Sequence, residues 1–392
     1  MIHLFINGLA ASAGGGLTYL RNVIPHLAVI PGTQVTLALA PDLRKEFDTF
    51  SNVDFVESQV SPFRRIWYEQ VHLPDVIRRS HADILLSAGN FALRNSPVPQ
   101  ILLSRNSIYT SSDYYVDVRA RHEYGTWLDT HIRALLAKRS IYWADVTVAP
   151  SHAFAAELQR WTGVEVRSIH HGFDGKVFTS DATPLAAEVE EKLVAHEDSL
   201  KLLFVSHYNY YRNFETLIRA LLILRERVRG RSVKLLLTCK LAAGENPGSY
   251  RPQSAAKLLR QLGVEDMVIQ LGAIPYRQLH HLYRCAHMYV TPAYTETFAH
   301  PLVEAMSSGL PVVASDLPVH REICGDAALY FPRFSEQELA ARVAELSASQ
   351  DLALSLSSCG VLRSRAFSWT KHVEELLSVV RSLRGCVRTP PL

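Results

Sequence analysis

The sequence predicts an α/β protein with two parallel-sheet domains. Three observations carry that prediction. A chain of 392 residues is long for one hydrophobic core and comfortable for two. Apolar runs of strand length alternate with amphipathic helical stretches. The alternation then starts over in the second half, with no residue-level repeat between the halves.

The first domain is expected to take strands at 2–7, 34–40, 83–87, 100–104 and 145–149, with helices at 17–29, 65–79 and 118–143. The second is expected to take strands at 201–206, 233–238, 267–271, 288–291 and 311–314. Its helices fit near 214–229, 253–262, 277–285, 302–308 and 336–348. The acidic, alanine-rich stretch 174–200 separates the halves. Domains are therefore placed at 1–175 and 201–368, with 176–200 as a linker region. A last helix, assigned to 369–385, carries Val373, Leu376, Leu377, Val380 and Leu383 at helical spacing, and the tail 389–392 is expected to be disordered.

Composition excludes several classes. The net charge of +3 comes from 41 basic and 38 acidic residues, too balanced to argue for nucleic acid. Cys239, Cys285, Cys324, Cys359 and Cys386 are odd in number and lack paired spacing, which favours reduced thiols in a cytoplasmic protein over disulfides or a zinc site. The N-terminal residues read as a strand, not a secretion signal, and no apolar stretch approaches the ~18 residues that span a bilayer. Membrane contact, if made, is peripheral.

The most informative segment is Thr295-Glu296-Thr297-Phe298-Ala299-His300-Pro301-Leu302-Val303-Glu304-Ala305-Met306. A short strand ends just before it. A helix begins near Pro301 and stops at Gly309, and Pro311-Val312-Val313-Ala314-Ser315 opens another strand. Glu296 thus falls in a loop at a strand's C-terminal edge, where open parallel sheets bind ligands, and Glu304 falls early on the helix. A carboxylate there can accept hydrogen bonds from sugar hydroxyls, and backbone amides at the helix start can face a phosphate. The plainer reading makes Glu296 a solvated loop residue and Glu304 a first-turn glutamate favoured by the helix dipole.

Taken whole, the segment resembles the donor-site signature of retaining glycosyltransferases of family 4. Glu296, Phe298, Pro301, Glu304, Ala305, Met306, Gly309, Pro311, Val312, Val313 and Ala314 match. Thr297 and Ala299 depart from it where the family often has glycine. The resemblance implies the GT-B architecture: two facing Rossmann-like domains with a deep interdomain cleft, and a C-terminal helix that crosses back onto the first domain. It implies transfer of a hexose from a nucleotide-diphosphate sugar with retained anomeric configuration. In that picture Glu304 holds the nucleotide ribose and Glu296 contacts the transferred sugar. Arg212, the amides near Thr297 and Phe298, and a glycine loop stabilise the departing diphosphate. No metal or other cofactor is required, because fixed cations and helix dipoles do that work.

The other candidates follow from the same need for cations and close backbone approach. Gly14-Gly15-Gly16 follows the first strand and opens a helix. A dinucleotide fingerprint would need a third glycine where Tyr19 stands, so Gly15 and Gly16 are assigned to the donor diphosphate or the acceptor; a tight strand-to-helix turn is the plainer reading. In Ser206-His207-Tyr208-Asn209-Tyr210-Tyr211-Arg212-Asn213, Arg212 matches the family's second basic position, and His207 stands near the first, either as a weaker stabiliser or as a loop histidine. Lys240 is a further cation candidate, and Ile274 lies in the loop that commonly holds the nucleotide base. On the acceptor side, Arg105 and Asn106 stand where many members carry a histidine; they are expected to hydrogen-bond a sugar or phosphate, or else to form a capped turn. Gly172 and Asp174 match another landmark of the resemblance, with Asp174 read as ordinary loop chemistry.

The helix read from Arg119 to Trp143 mixes Arg119, Arg121, Arg133, Lys138 and Arg139 with Tyr124, Trp127, Tyr142 and Trp143, and Arg64, Arg65, Trp67 and Tyr68 lie upstream. Such a mixture suits an anionic membrane surface at the inner face, or equally a solvated helix with one packed face. The expected activity is therefore glycosyl transfer from a nucleotide sugar to a glycan or lipid-linked acceptor, in surface polysaccharide or lipopolysaccharide biosynthesis. A GT-B nucleotide-sugar epimerase and a non-catalytic sugar-nucleotide-binding protein are the alternatives.

Overall fold

The computed structural model describes residues 1–11, 15–59, 61–246, 248 and 250–384. Gly14, Cys386 and the tail 389–392 lie outside the described residues, as does the last residue assigned to the C-terminal helix.

The first half carries strands β1 (Ile2–Asn7), β2 (Thr33–Leu39), β3 (Val53–Glu57), β4 (Ile84–Ser87), β5 (Gln100–Leu103), β6 (Val146–Ala149) and β7 (Val166–Ser168). Its helices are α1 (Gly15–Ala28), α2 (Pro62–Val71), α3 (Leu73–Ser80), α4 (Ser112–Ala120), α5 (Tyr124–Trp143) and α6 (His152–Thr162). The second half opens with α7 (Gly175–Thr179) and α8 (Ala187–Val194), then β8 (Leu200–Phe204), α9 (Phe214–Arg227), β9 (Val233–Leu237), α10 (Gln253–Leu262), β10 (Val268–Gln270) and α11 (Leu279–Cys285). It continues with β11 (Met288–Thr291), α12 (His300–Ser307), β12 (Val312–Ser315), α13 (Pro318–Cys324), β13 (Ala328–Phe331), α14 (Glu336–Ala348), α15 (Gln350–Ser364) and α16 (Trp369–Leu383).

Among the described residues the strands form two parallel sheets, ordered β3-β2-β1-β4-β5-β6-β7 and β10-β9-β8-β11-β12-β13. Both contain the doubly wound order in which the sheet reverses direction beside its first strand. These are two Rossmann-like folds. The reversal lies between β1 and β4 in one sheet and between β8 and β11 in the other.

Two compact units result. One comprises Met1–Thr110, Tyr124–Gly172 and Ser368–Leu392; the other comprises Ser111–Glu123 and Phe173–Phe367. The segment 176–200, read from sequence as a linker, is part of the second unit. Its α8 buries Val189 and Leu193, and the chain enters β8 at Leu200. The helix expected at 118–143 is two helices in different units: His122, at φ 58, takes the left-handed conformation that ends α4. The helix expected at 65–79 breaks at His72, because Pro74 has no amide to continue the ladder. The strands not foreseen, β3, β7 and β13, all lie at sheet edges, where one-sided pairing relaxes the demand for a continuous apolar run.

The first unit's core packs β1, β2 and β4 against α1 and α16, with Leu20, Ile24, Val373, Leu376, Leu377 and Val380 buried together. Gly172 allows the chain to pass the start of α16: a side-chain carbon there would lie 2.0 Å from the Trp369 nitrogen. Cys239, Cys285, Cys324 and Cys359 are free thiols, and no described helix is long and apolar enough to cross a membrane.

Candidate functional site

In the second unit the point where strand order reverses brings together the loops after β8 and β11. After β8 the chain makes a 3-10 turn, Tyr210–Arg212, and Asn213 turns it into α9 from a left-handed conformation with φ 56. Asparagine tolerates that conformation, and its side chain secures it by donating to the Pro292 carbonyl at 3.0 Å and accepting from Thr216 at 2.9 Å. The Tyr294 amide donates to the Tyr211 carbonyl at 3.0 Å. The two loops are thereby sewn together. Arg212 Nη1 then meets Glu296 Oε2 in an ion pair whose side chains are only 20% and 10% exposed.

Burial opposes ionisation of Glu296, but the Arg212 charge and the Thr297 amide, which donates to Oε1 at 3.0 Å, outweigh it and hold the carboxyl below its usual range. The pairing is incomplete. Arg212 Nε is buried with no hydrogen-bond partner among the described residues. A buried charged donor without an acceptor is a costly arrangement for folding alone and marks a place for an anion.

A third group here escaped the sequence reading. His320, on α13, is fully buried. Its Nδ1 lies 2.9 Å from the Ser315 carbonyl, so that nitrogen carries the proton. Ser315 Oγ donates to the Ala293 carbonyl, three residues before Glu296. Burial pushes the imidazole down to about 4, and the Glu296 and Arg212 charges both act on it. Its Nε2 is buried without a partner among the described residues. The neutral ring thus offers a lone pair beside the ion pair. The sequence signal was Ser315 and the start of α13, a strand-to-helix turn like the one that carries Glu296.

Glu304 lies in the second turn of α12, is 4% exposed, and accepts from the Tyr283 hydroxyl at 2.8 Å. Burial pushes its carboxyl up to about 7, with the Tyr283 bond pulling the other way. Tyr283 packs edge-on to Phe178, which also contacts the half-exposed ring of Tyr276. Glu304 is therefore a buried acid set among the aromatic rings of Tyr283, Phe178 and Tyr276. Asp174 caps α7 by accepting from the Lys176 and Val177 amides, so its role is local.

Ala299 caps α12 in a left-handed conformation, φ 65 and ψ 62. The departure from glycine noted in the sequence falls on a position that favours glycine, and the methyl costs about 1–2 kcal/mol there. The other expected donor residues separate. Phe298 is a packed core ring against Phe367 and His300. His207 is exposed after β8, and burial of its ring together with the Arg212 charge keeps its imidazole below the usual range. Ile274 is half-buried on the loop after β10, and Lys240 is exposed near Glu245.

Gly15, Gly16, Arg105 and Asn106 belong to the first unit, and Arg105 Nε, like Arg212 Nε in the second, is buried without a hydrogen-bond partner among the described residues. Arg105 donates to the Gly15 and Ala88 carbonyls, each at 2.7 Å, and lies 5.1 Å over the Tyr19 ring. Gly16 leaves room for Ala11, whose backbone would sit 3.2 Å from an added side chain. Asn106 caps a 3-10 turn by accepting from the Ile108 amide. The capped turn is present at Asn106, and Arg105 ties the first residue of α1 to the end of β4. Beneath it, Tyr19 meets His372 Nε2 at 3.0 Å, and His372 Nδ1 meets the His170 carbonyl at 2.8 Å.

Arg121 is not a surface charge. It pairs with Asp117 and Glu215 at 2.7 and 2.8 Å, and Tyr294 donates to Asp117 at 2.8 Å. This pins α4 to the start of α9.

Comparison with known proteins gives a consistent picture. A family model described as "Glycosyl transferases group 1" matches residues 186–360, and one described as "Glycosyltransferase Family 4" matches residues 13–176. A protein of Corynebacterium aurimucosum named D-inositol 3-phosphate glycosyltransferase is 28% identical over 211 residues, 53% of this chain and 49% of that protein. A Thermobifida fusca protein of the same name is 27% identical over 256 residues, 63% and 58% of the two chains. The chain spans about half the length of the curated relatives it matches. Among solved structures, sucrose-phosphate synthase from Thermosynechococcus elongatus superposes with a TM-score of 0.74 at 18% identity, over 98% of this chain and 99% of that one. Anabaena HepE, solved with UDP-glucose, superposes with a TM-score of 0.72 at 16% identity, over 98% and 100%. These likenesses place the fold with the GT-B proteins.

Proposed function

Since this chain belongs to the family 4 glycosyltransferases, we propose that it transfers a sugar from a nucleotide-diphosphate donor to a hydroxyl acceptor with retention of anomeric configuration. The observation that carries the reading is the largely buried Arg212–Glu296 pair with its unpartnered Arg212 Nε, followed eight residues on by the buried Glu304. A nucleotide diphosphate would give Arg212 Nε the acceptor it lacks. The positive charge then gains most as the diphosphate leaves, which lowers the barrier more than it tightens the ground state. Glu296, kept ionised by Arg212, accepts from hydroxyls of the transferred sugar. Glu304 takes the ribose hydroxyls, with Tyr276 and Phe178 beside the base. The dipole of α12 adds positive potential at its start. UDP is the first base to test, since a protein of like fold binds UDP-glucose. The acceptor is a glycan, a lipid-linked sugar or a cyclitol phosphate, the last suggested by the names of the curated relatives.

Thermal shift with UDP-, GDP-, ADP-, dTDP- and CMP-sugars tests the donor site. A ligand at 100 times its dissociation constant stabilises by about 2.7 kcal/mol. A shift with one nucleotide class that disappears in Glu304→Ala supports the reading. Binding that survives Glu304→Ala contradicts the assignment of that residue. Turnover of bound donor to its epimer without acceptor would replace transfer with epimerisation, and the anomeric configuration of a transfer product decides retention.

A further inference from the structure

Helix α5 is amphipathic in the wrong sense for a helix that only packs on a core. Its buried face is made of Thr130, Ala134, Ala137, Ser140 and Ile141, mostly small or polar. Its large side chains face outward: Tyr124 is 59% exposed, Leu128 56%, Ile132 59%, Leu135 67% and Tyr142 50%. The spacing of four, four, three and seven puts all five on one stripe. Over 20 residues the helix is about 30 Å long, so the stripe is continuous along most of it. Exposed apolar patches of this extent mark interaction sites, because leaving them in water is unfavourable.

The charges select the partner. Arg139 lies on the same face between Leu135 and Tyr142, and it is exposed. Lys138 sits 5.6 Å over the Trp161 ring at one flank. Asp129, the one acidic residue of α5, is already paired with Arg133 at 2.7 Å. A second copy packed on the same face brings another Arg139 and no unpaired acid of α5 to meet it. An anionic headgroup layer supplies that countercharge while its acyl boundary takes the leucines and isoleucine. The rings of Tyr124 and Tyr142 at the two ends of the stripe offer apolar faces at the headgroup level, with the Tyr142 hydroxyl donating to the Thr162 carbonyl at 2.6 Å.

We propose that the outward face of α5 is a membrane-docking surface, lying in the plane of an anionic bilayer with Leu128, Ile132 and Leu135 inserted at the acyl boundary and Arg139 on the headgroups. The charges steer, and the apolar stripe holds. The proposal is independent of the sugar chemistry.

The test is flotation of the full chain with vesicles of phosphatidylcholine doped with phosphatidylglycerol, against phosphatidylcholine alone. The wild type should float with the anionic vesicles and keep part of its binding as salt is raised. Leu135→Glu and Ile132→Glu, at sites outside the core, should weaken partitioning at least tenfold with unchanged melting temperature and unchanged donor-induced thermal shift. Arg139→Ser should weaken binding to anionic vesicles and leave the salt-resistant part. Failure of the wild type to float overturns the proposal, as does flotation unaffected by Leu135→Glu. A wild-type dimer in light scattering that Leu135→Glu dissociates, without lipid binding, assigns the face to self-association instead and equally overturns it.

Discussion

Replacing Glu304 with glutamine keeps the shape of the side chain and an oxygen for the Tyr283 hydroxyl, and removes only the ionisable proton. In the folded protein burial holds the carboxyl up at about 7, against 4.5 for an ordinary glutamate. Between those values the folded protein keeps a proton that the unfolded chain has released. Stability therefore falls as pH rises from 4.5 through about 7, by about 3 kcal/mol in total. Glu304→Gln does not pay this penalty. In paired urea melts it should be about as stable as the wild type near pH 4.5 and about 3 kcal/mol more stable at pH 8. The comparison at each pH cancels every other titrating group. The same substitution should weaken donor binding by about 1.5–3 kcal/mol, the worth of hydrogen bonds to a charged acceptor. Wild-type donor affinity should rise as pH goes from 6 to 8, by up to about tenfold per unit below the folded value. A stability gap that does not change with pH would refute the reasoning, as would a variant less stable than wild type at pH 8. The first would mean that burial leaves the Glu304 carboxyl titrating as in the unfolded chain, and the second that its ionised form is stabilised.

Other expectations follow from the same geometry. Ala299→Gly relieves a left-handed alanine and should raise stability by about 1 kcal/mol in a denaturant melt, with no loss of donor binding. Arg212→Ala should lower turnover by more than it weakens donor affinity if its contact strengthens as the diphosphate leaves; equal effects in steady-state kinetics and binding would count against that role. His320 and His372 are each pushed down to about 4 by burial, so each adds a stability term that is complete above pH 6.5 and is lost as pH falls toward 4, by at most about 3 kcal/mol per residue. His372→Gln should flatten the acid limb of a stability–pH curve, whatever it does to the absolute stability, and an unchanged slope would show that the ring titrates normally.

Much of this protein is written locally in its chain. The buried strands β1, β8 and β11 are short apolar runs, and the helices α9, α10 and α14 repeat their apolar residues with helical period, so periodicity alone located them. Glu296 and Glu304 were legible because a strand, a turn and a proline-started helix fix where each side chain falls. Edge strands and helix breaks were not, since single-sided burial and one left-handed residue such as His122 leave faint traces in composition. Tertiary structure alone decided which groups meet. Arg212 reaches Glu296 across 84 positions because parallel pairing sets β8 beside β11, and Asn213 then ties the two loops. It also decided which charges are available. Arg121 reads as a membrane contact in the sequence, yet it is locked between Asp117 and Glu215, while Arg105 is held by the Gly15 and Ala88 carbonyls and keeps an unpartnered Nε. His320 went unread for the same reason: burial, which pushes its imidazole down and leaves its Nε2 beside an ion pair, is a property of the packed sheet and of no short stretch of chain.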